Sequence, residues 1–279
     1  MNYQRIGVEA LSPALGAEVS GVDLSQPLDE ESIAEIRHAF LTHLVIFFRD
    51  QSLSPEQYLR FARSMGTPSE YPLVKGMDDY PEITEVVKKE DERVNFGGIW
   101  HSDTTYLTCP PMATLLYARE IPPVGGDTLF ANMYLAYESL SPGMRRLLDG
   151  MSAVNSADKS DAAATRADRR RDRPRDAGKT VTVAEHPIVR THPETGRKAL
   201  YVNPGHTVRI SGFSEAESAP MLEYLYRHQT KPEFSCRFRW RRDSLAFWDN
   251  RAAQHYPLND YHGHRRALQR ITLAGDRPH

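Results

Sequence analysis

A mainly β protein, with a jelly-roll or sandwich core and helices packed outside it, is the fold class this sequence predicts. Two observations carry that reading. Short apolar runs of strand type recur along most of the chain, bounded by Gly, Pro and Asp turns, and only a few stretches combine helical periodicity with caps. No unit repeats, which argues against a solenoid or propeller. At 279 residues, 40% hydrophobic and 26% charged, the chain is expected to form one domain over 1–279 around a substantial core.

Residues 5–25 read as short strands broken by Gly16 and Gly21. Asp29 caps a helix running to about His43, with Ile33, Ile36 and Phe40 on one stripe. Leu44–Phe48 is a wholly apolar run of strand type, stopped by Arg49 and Asp50. Ser54 and Gln57 form a capping box with Pro55 at the first helical position, and Tyr58, Phe61, Ala62 and Met65 supply that helix's buried face. Prolines 68, 72 and 81 make 66–98 rich in loops, with one strand at Glu82–Val87. Strands are expected at Ala113–Ala118 and Asp127–Ala131, then helices at Met133–Leu140 and Gly143–Gly150.

Residues 156–178 hold seven Lys or Arg and five Asp, no aromatic residue, and alanine as the only apolar type. Such a stretch cannot bury a core, so the sequence predicts a mobile lid or insert there. Beyond it, strands are expected at Thr180–Val183, Ile188–Thr191 and Ala199–Val202. A second capping box at Ser214 and Glu217 opens a helix through His228. Phe234–Trp240, Ser244–Trp248 and Arg266–Leu273 complete the strands.

A net charge of −2 supplies no global field to gather nucleic acid or an anionic membrane. The basic cluster at Arg166–Arg175 lacks interleaved aromatics and reads as a solvated loop rather than a nucleic-acid contact. Cys109 and Cys236 fit no metal motif and are too few for a disulfide framework, as in a reducing cytosol. The first residues contain no apolar signal core, and no run approaches the roughly 18 apolar residues of a membrane span. A cytoplasmic protein with no nucleic-acid or membrane partner is expected, as a homo-oligomer, dimer or tetramer.

The chemistry centres on Trp100–Tyr106. In an extended stretch His101 and Asp103 project to one face. Alone, a His-x-Asp reads as a core histidine beside a hydrogen-bonded carboxylate rather than as a metal site. His192-Pro193-Glu194, the other pattern of this kind, lies in a hairpin-turn sequence and reads as solvent-exposed. His255 stands 152 residues after Asp103, in a turn-forming stretch behind Trp248-Asp249-Asn250-Arg251, and is the candidate second imidazole. Two histidines and one carboxylate with open positions suit non-haem Fe(II), whereas the His-Glu-x-x-His zinc motif is absent. Arg266 and Arg270 share a strand face with Cα atoms about 13 Å apart, too far to clamp one carboxylate, so they suggest two separate anions unless one pairs with Asp or Glu.

With these residues in view, the chain resembles the Fe(II)/2-oxoglutarate-dependent dioxygenases of the taurine and 2,4-dichlorophenoxyacetate dioxygenase family. The similarity runs from Gly16–Leu24 to Gly275-Asp276. Its specific parts are Trp100-His101-Ser102-Asp103, Gly125-Gly126-Asp127-Thr128, Thr191-His192-Pro193, Trp248-Asp249-Asn250 with His255, and Arg266 with Arg270. The resemblance implies a double-stranded β-helix, the cupin-like form of the jelly roll, with iron held by His101, Asp103 and His255. It implies that Thr128 and Arg266 hold the distal carboxylate of the cosubstrate 2-oxoglutarate, and that Arg270 takes the acidic group of the substrate. O2 and 2-oxoglutarate are then consumed, succinate and CO2 released, and one C–H of a small organic anion hydroxylated.

Taurine enzymes carry a His-Pro-x-Tyr-type segment and an asparagine ahead of the metal motif. Here the corresponding places read Glu70-Tyr71-Pro72-Leu73-Val74-Lys75 and Gly97. Pro72–Gly76 is closer to relatives acting on aryloxyalkanoates, where a lysine such as Lys75 meets the substrate carboxylate, and Tyr71 and Tyr106 are candidate pocket walls. The expected substrate is a taurine-like sulfonate or an aryloxyalkanoate acid. The alternative is a metal-bearing β-barrel that binds or senses a small acid without oxygenase activity.

Overall fold

In the computed structural model, residues 3–159 and 182–279 are described. The insert expected at 156–178 lies outside them from residue 160 onward, as do the Arg166–Arg175 cluster and the first two residues of the strand expected at Thr180–Val183.

The chain opens with β1 (Gly7–Ala10), β2 (Ala17–Ser20), α1 (Glu30–His43), β3 (Val45–Phe48), α2 (Pro55–Met65), β4 (Pro68–Ser69) and β5 (Thr84–Lys88). It continues with β6 (Ala113–Glu120), β7 (Thr128–Asn132), α3 (Met133–Glu138), α4 (Pro142–Leu148) and β8 (Ser152–Ser156). After the gap come β9 (Val183–Pro187), β10 (Val189–Thr191), β11 (Lys198–Leu200), β12 (Thr207–Ile210) and α5 (Glu215–Gln229). The last strands are β13 (Ser235–Phe238), β14 (Leu245–Asp249), β15 (Ala253–Pro257) and β16 (Arg266–Leu273). No helix among the described residues is long and apolar enough to cross a membrane.

The large sheet runs β1-β2-β3-β14-β6-β16-β4, with β5 on β16; β2 and β3 are parallel, the other pairs antiparallel. Facing it is the smaller sheet β13-β7-β15. Alternation explains why β3 and β14 are apolar throughout. Val45 and Phe47 of β3, with Ala246 and Trp248 of β14, point toward the smaller sheet. There Phe47 stacks on Phe238 (3.8 Å between ring centroids) and Trp248 meets Phe130 (5.6 Å). The intervening Ile46, Phe48, Leu245 and Phe247 point the other way, under α1 and α2, with Phe40 stacked on Phe247 at 4.2 Å. A strand buried on both faces must be apolar at every position. The mainly β, jelly-roll class is as expected.

All three expected caps form: Asp29 accepts from the Ser32 N–H, and Ser54 with Gln57 and Ser214 with Glu217 close capping boxes at the starts of α2 and α5. Leu44 is not the first residue of β3. It ends α1 in the left-handed conformation (φ 64°) and donates its N–H to the Phe40 carbonyl. The stretch around His255, expected to turn, is strand β15, and β8 and β12 were not foreseen.

Candidate active site

Backbone pairing assembles the centre. His101 and His255 form an isolated antiparallel bridge, the His101 N–H donating to the His255 carbonyl at 3.0 Å and the reverse bond measuring 2.9 Å. The stretch after His101 turns rather than remaining extended, with Thr104 at φ 46°. Even so, Asp103 returns its carboxylate toward both imidazoles. Its Oδ1 lies 3.6 Å from His101 Nε2 and 3.9 Å from His255 Nε2. One ligand atom from each of the three residues lies within 4.8 Å of the others, and all three residues are buried.

Neighbouring hydrogen bonds determine which atoms face the centre. His101 Nδ1 is 2.7 Å from the Ile99 carbonyl, which can only accept, so Nδ1 carries the proton and Nε2 presents its lone pair. Asp103 Oδ2 accepts from the Thr114 hydroxyl at 2.6 Å. Asn250 in turn donates its amide to that hydroxyl (2.9 Å), and its carbonyl oxygen accepts from Trp248 Nε1 at 2.9 Å and from the Asp103 N–H at 3.4 Å. With Oδ2 tied, Oδ1 is the oxygen left for the centre.

The charges match a cation site. Burial pushes the Asp103 carboxyl up, but Arg270, His255 and His101 with the Thr114 bond outweigh it and hold the group well below the usual carboxylate range. Burial, reinforced by His101 and Arg270 and opposed by Asp103, drives His255 well below an ordinary histidine. A neutral imidazole beside an ionised carboxylate is the donor state a metal requires. Donor atoms within 4.8 Å of one another are close enough to converge on one cation. The donor chemistry fits a two-histidine, one-carboxylate Fe(II) site.

Two cavities open from this centre, and both are lined by His101, Phe96 and Arg270. One, of about 430 Å³, adds Val86, Thr128, His255 and Arg266. Its Thr128 hydroxyl accepts from Trp240 Nε1 at 2.9 Å, which leaves the hydroxyl proton to donate. Arg266 is buried, pairs with no carboxylate among the described residues, and leaves Nε and Nη2 without a hydrogen-bond partner. The other cavity, of about 320 Å³, adds Tyr71, Gly97, Ile99 and His206. Arg270 stands between the two: Nη2 is 3.0 Å from Asp103 Oδ1 and its guanidinium lies 4.7 Å over the Tyr71 ring. Arg270 thus meets a carboxylate and Arg266, among the described residues, does not.

Lys75 is elsewhere: it is exposed, ion-paired with Asp78, and lines neither cavity. Tyr106 is fully buried against His206 (5.1 Å between centroids), one layer behind the cavity wall. His192 overturns its exposed reading, being wholly buried. Its Nδ1 accepts from the Glu194 and Thr195 N–H groups at 3.2 Å each, and Nε2 donates to Asp249 at 2.9 Å. The turn that follows it is real, but the ring points inward to a carboxylate 57 residues away. Asp249 also accepts from Arg251 at 2.8 and 2.7 Å, and Glu194 joins Arg251 to Arg37 at 2.6 Å each. This network anchors the end of β14 from which Asn250 departs.

Sequence reasoning missed Phe96, Ile99, His206 and the Thr114–Asn250 link. The available signals were the aromatic–glycine run Phe96-Gly97-Gly98 beside the metal motif and a threonine at an inward position of an apolar strand.

A profile of the taurine catabolism dioxygenase TauD, TfdA family matches residues 7–272. An alpha-ketoglutarate-dependent sulfate ester dioxygenase from Pseudomonas putida is 37% identical, the match covering 98% of this chain and 91% of that protein. An alkylsulfatase from Acinetobacter baylyi is 35% identical over 98% of this chain and 86% of its own length. Among solved structures, a taurine dioxygenase from Burkholderia xenovorans superposes with a TM-score of 0.82 at 38% identity, covering 99% of this chain and 91% of that one.

Proposed function

The chain belongs to the taurine catabolism dioxygenase TauD, TfdA family and is a non-haem iron, 2-oxoglutarate-dependent dioxygenase, and we propose that its substrate is an alkyl sulfate ester. In this reading His101, Asp103 and His255 hold the iron. Thr128 and Arg266 bind the distal carboxylate of 2-oxoglutarate, and Arg270 binds the sulfate head, with Tyr71 stacked on its guanidinium.

With 2-oxoglutarate and O2, bound iron supplies the oxidising equivalent that turns a C–H into C–OH as succinate and CO2 leave. On the carbon bearing a sulfate ester, that product is a hemiacetal sulfate. Its hydroxyl proton departs, the C=O bond forms and the C–O bond to sulfate breaks, giving an aldehyde and hydrogen sulfate. The protein's part is positioning. A planar guanidinium grips a tetrahedral oxyanion directionally, so the reacting C–H is presented at a fixed place. Thr114 and Asn250 keep Asp103 Oδ2 occupied, and Ile99 keeps the His101 Nε2 lone pair facing inward.

The observation that carries the substrate class is the lack of a partner for an ammonium. Among the described residues lining either cavity, Asp103 is the only carboxylate, and Arg270 and both histidines already surround it. Where taurine enzymes carry asparagine stands Gly97, at φ 71°, where a Cβ would sit 2.9 Å from His101 Cε1. The rest of the substrate therefore meets Phe96, Ile99 and Tyr71, surfaces suited to an alkyl chain. The names of the two curated relatives support a sulfate ester over a sulfonate. A barrel that only senses an acid is not favoured beside dioxygenase relatives.

The test is succinate release with Fe(II), ascorbate and 2-oxoglutarate across hexyl sulfate, taurine and phenoxyacetate. Hexyl sulfate should yield succinate, aldehyde and sulfate in equal amounts, and taurine little. Turnover of taurine or phenoxyacetate without turnover of any alkyl sulfate would make the assignment wrong.

A further inference from the structure

Among the described residues, Lys88 is a buried cation with neither a carboxylate partner nor a place in the iron, 2-oxoglutarate or sulfate contacts. Strand β5 lies antiparallel to β16 in the register Lys88↔Arg266, Val86↔Leu268, Thr84↔Arg270. Residues directly opposite on neighbouring strands project to the same face, and every second residue shares it. Val86, Arg266 and Arg270 line one cavity, so Thr84 and Lys88 belong to the inward row of β5. Both are buried, Lys88 at 2% exposure. Thr84 Oγ1 and Lys88 Nζ have no hydrogen-bond partner among the described residues, and the Nε and Nη2 atoms of Arg266 opposite are also without one.

Two cations placed opposite each other on paired strands repel, and an ammonium out of water needs an acceptor. Lys88 makes no ion pair among the described residues; its Nζ lies 4.5 Å from the centre of the Tyr261 ring, which also stands 5.9 Å from the Arg266 guanidinium. A ring face is a weak substitute for the lost water. The nearby carboxylates are engaged elsewhere: Asp127 accepts from Arg237 at 2.6 Å and Asp260 from the Gly126 N–H at 2.7 Å. Arg266 lines the cavity and Lys88 stands directly opposite it in the strand register, so an anion from outside the chain is what this pair of cations is short of.

We propose that Lys88 is a second cation of the cosubstrate pocket, sharing the distal carboxylate of 2-oxoglutarate with Arg266 and so selecting 2-oxo diacids over 2-oxo monoacids. This rests on the assignment of Arg266 to that carboxylate. The role is one of binding and positioning, so it belongs in the affinity for cosubstrate and not in the affinity for the sulfate ester.

The test measures 2-oxoglutarate binding calorimetrically on Mn(II)-loaded protein, and the thermal upshift that glutarate gives the metal-free protein, for wild type, Lys88→Met, Lys88→Gln, Lys88→Arg and Arg266→Met. Loss of a charge-assisted contact should weaken 2-oxoglutarate about tenfold in Lys88→Met and Lys88→Gln, with KM for 2-oxoglutarate rising alike. Lys88→Arg should stay within about threefold, as a variant that keeps the charge. The glutarate upshift should shrink, while KM for the organic substrate holds and the unliganded Tm does not fall. Wild-type affinity in both neutral variants overturns the proposal. So does failure of both to fold, which would make Lys88 a brace for Tyr261. If Arg266→Met also binds normally, the Arg266 assignment itself is wrong; if only Arg266→Met is weakened, the error is confined to Lys88.

Discussion

His101 and His255, 154 positions apart, exchange both of their backbone hydrogen bonds. The two imidazoles are therefore held by a rigid ladder rung, with ring centroids 4.1 Å apart, and only the carboxylate arrives on a turn. The aim of Asp103 should then depend on the side chains behind it.

Thr114→Val tests this. It removes the proton donor at Asp103 Oδ2 and leaves Asn250 without its acceptor, while keeping the volume of a β-branched residue. Groups that orient ligands in this way are typically worth about 10- to 100-fold in metal affinity. Mn(II) titration should show a loss of that size with the circular dichroism spectrum unchanged; unaltered affinity would dismiss Thr114 as an orienting group.

Gly97→Ala should strain the centre locally. The residue sits at φ 71°, and the added Cβ would approach His101 Cε1 to 2.9 Å. A non-glycine residue held at such a φ costs on the order of 1–3 kcal/mol. Urea unfolding should register that loss, and metal affinity should fall with it as His101 is pushed aside. A variant that is stable and binds metal normally would mean that Gly97 is incidental.

The acid limb of stability should depend on Asp249. Burial raises its pKa, but Arg251 and His192 outweigh it and hold the carboxyl below the ordinary range. A carboxyl depressed in the folded state contributes stability that is present above its unfolded pKa, about 3.9, and is lost as pH falls through the folded value. Asp249→Asn should lose about 3 kcal/mol at pH 7, because buried Arg251 keeps only Glu194 as counter-charge and the His192 N–H loses its carboxylate acceptor. It should also lose less on going from pH 5 to pH 2 than the wild type does. Equal acid slopes would show that Asp249 contributes nothing to that limb.

A different window belongs to His255. Its pKa is lowered in the fold, so below about 6.5 the unfolded chain binds the extra proton. The stability of the metal-free protein tied to this group is present above about pH 6.5 and declines below it. Tm measured from pH 7.5 to 5 should fall in the wild type and flatten in His255→Gln. A flat wild-type profile would contradict the buried, neutral imidazole.

Much of this was legible in the sequence, for local reasons. The apolar runs at 45–48 and 245–248 had to be strands covered on both faces, and the capping residues Asp29, Ser54 and Ser214 each mark a helix start within its own turn. What stayed hidden depends on distant partners. β8 (SAVNS) carries no apolar run of strand type, yet Asn155 is buried because Thr105 and Thr207 pair with its side chain. β15 carries His255 at an inward position, where an apolar residue would have advertised a strand. His192 reads as exposed because it opens a hairpin-turn sequence while its carboxylate partner Asp249 lies 57 residues away, and Lys88 escapes notice because inward lysines are rare enough to be read as surface.

The most direct test of the central claim, that His101, Asp103 and His255 hold one iron with a flank open to 2-oxoglutarate, is anaerobic titration of the protein with Fe(II) and then 2-oxoglutarate, followed by visible absorption. One iron per chain and a weak metal-to-ligand charge-transfer band are expected in the wild type, and no band in His101→Ala, Asp103→Ala or His255→Ala. The same band at full strength in His255→Ala would contradict the assignment.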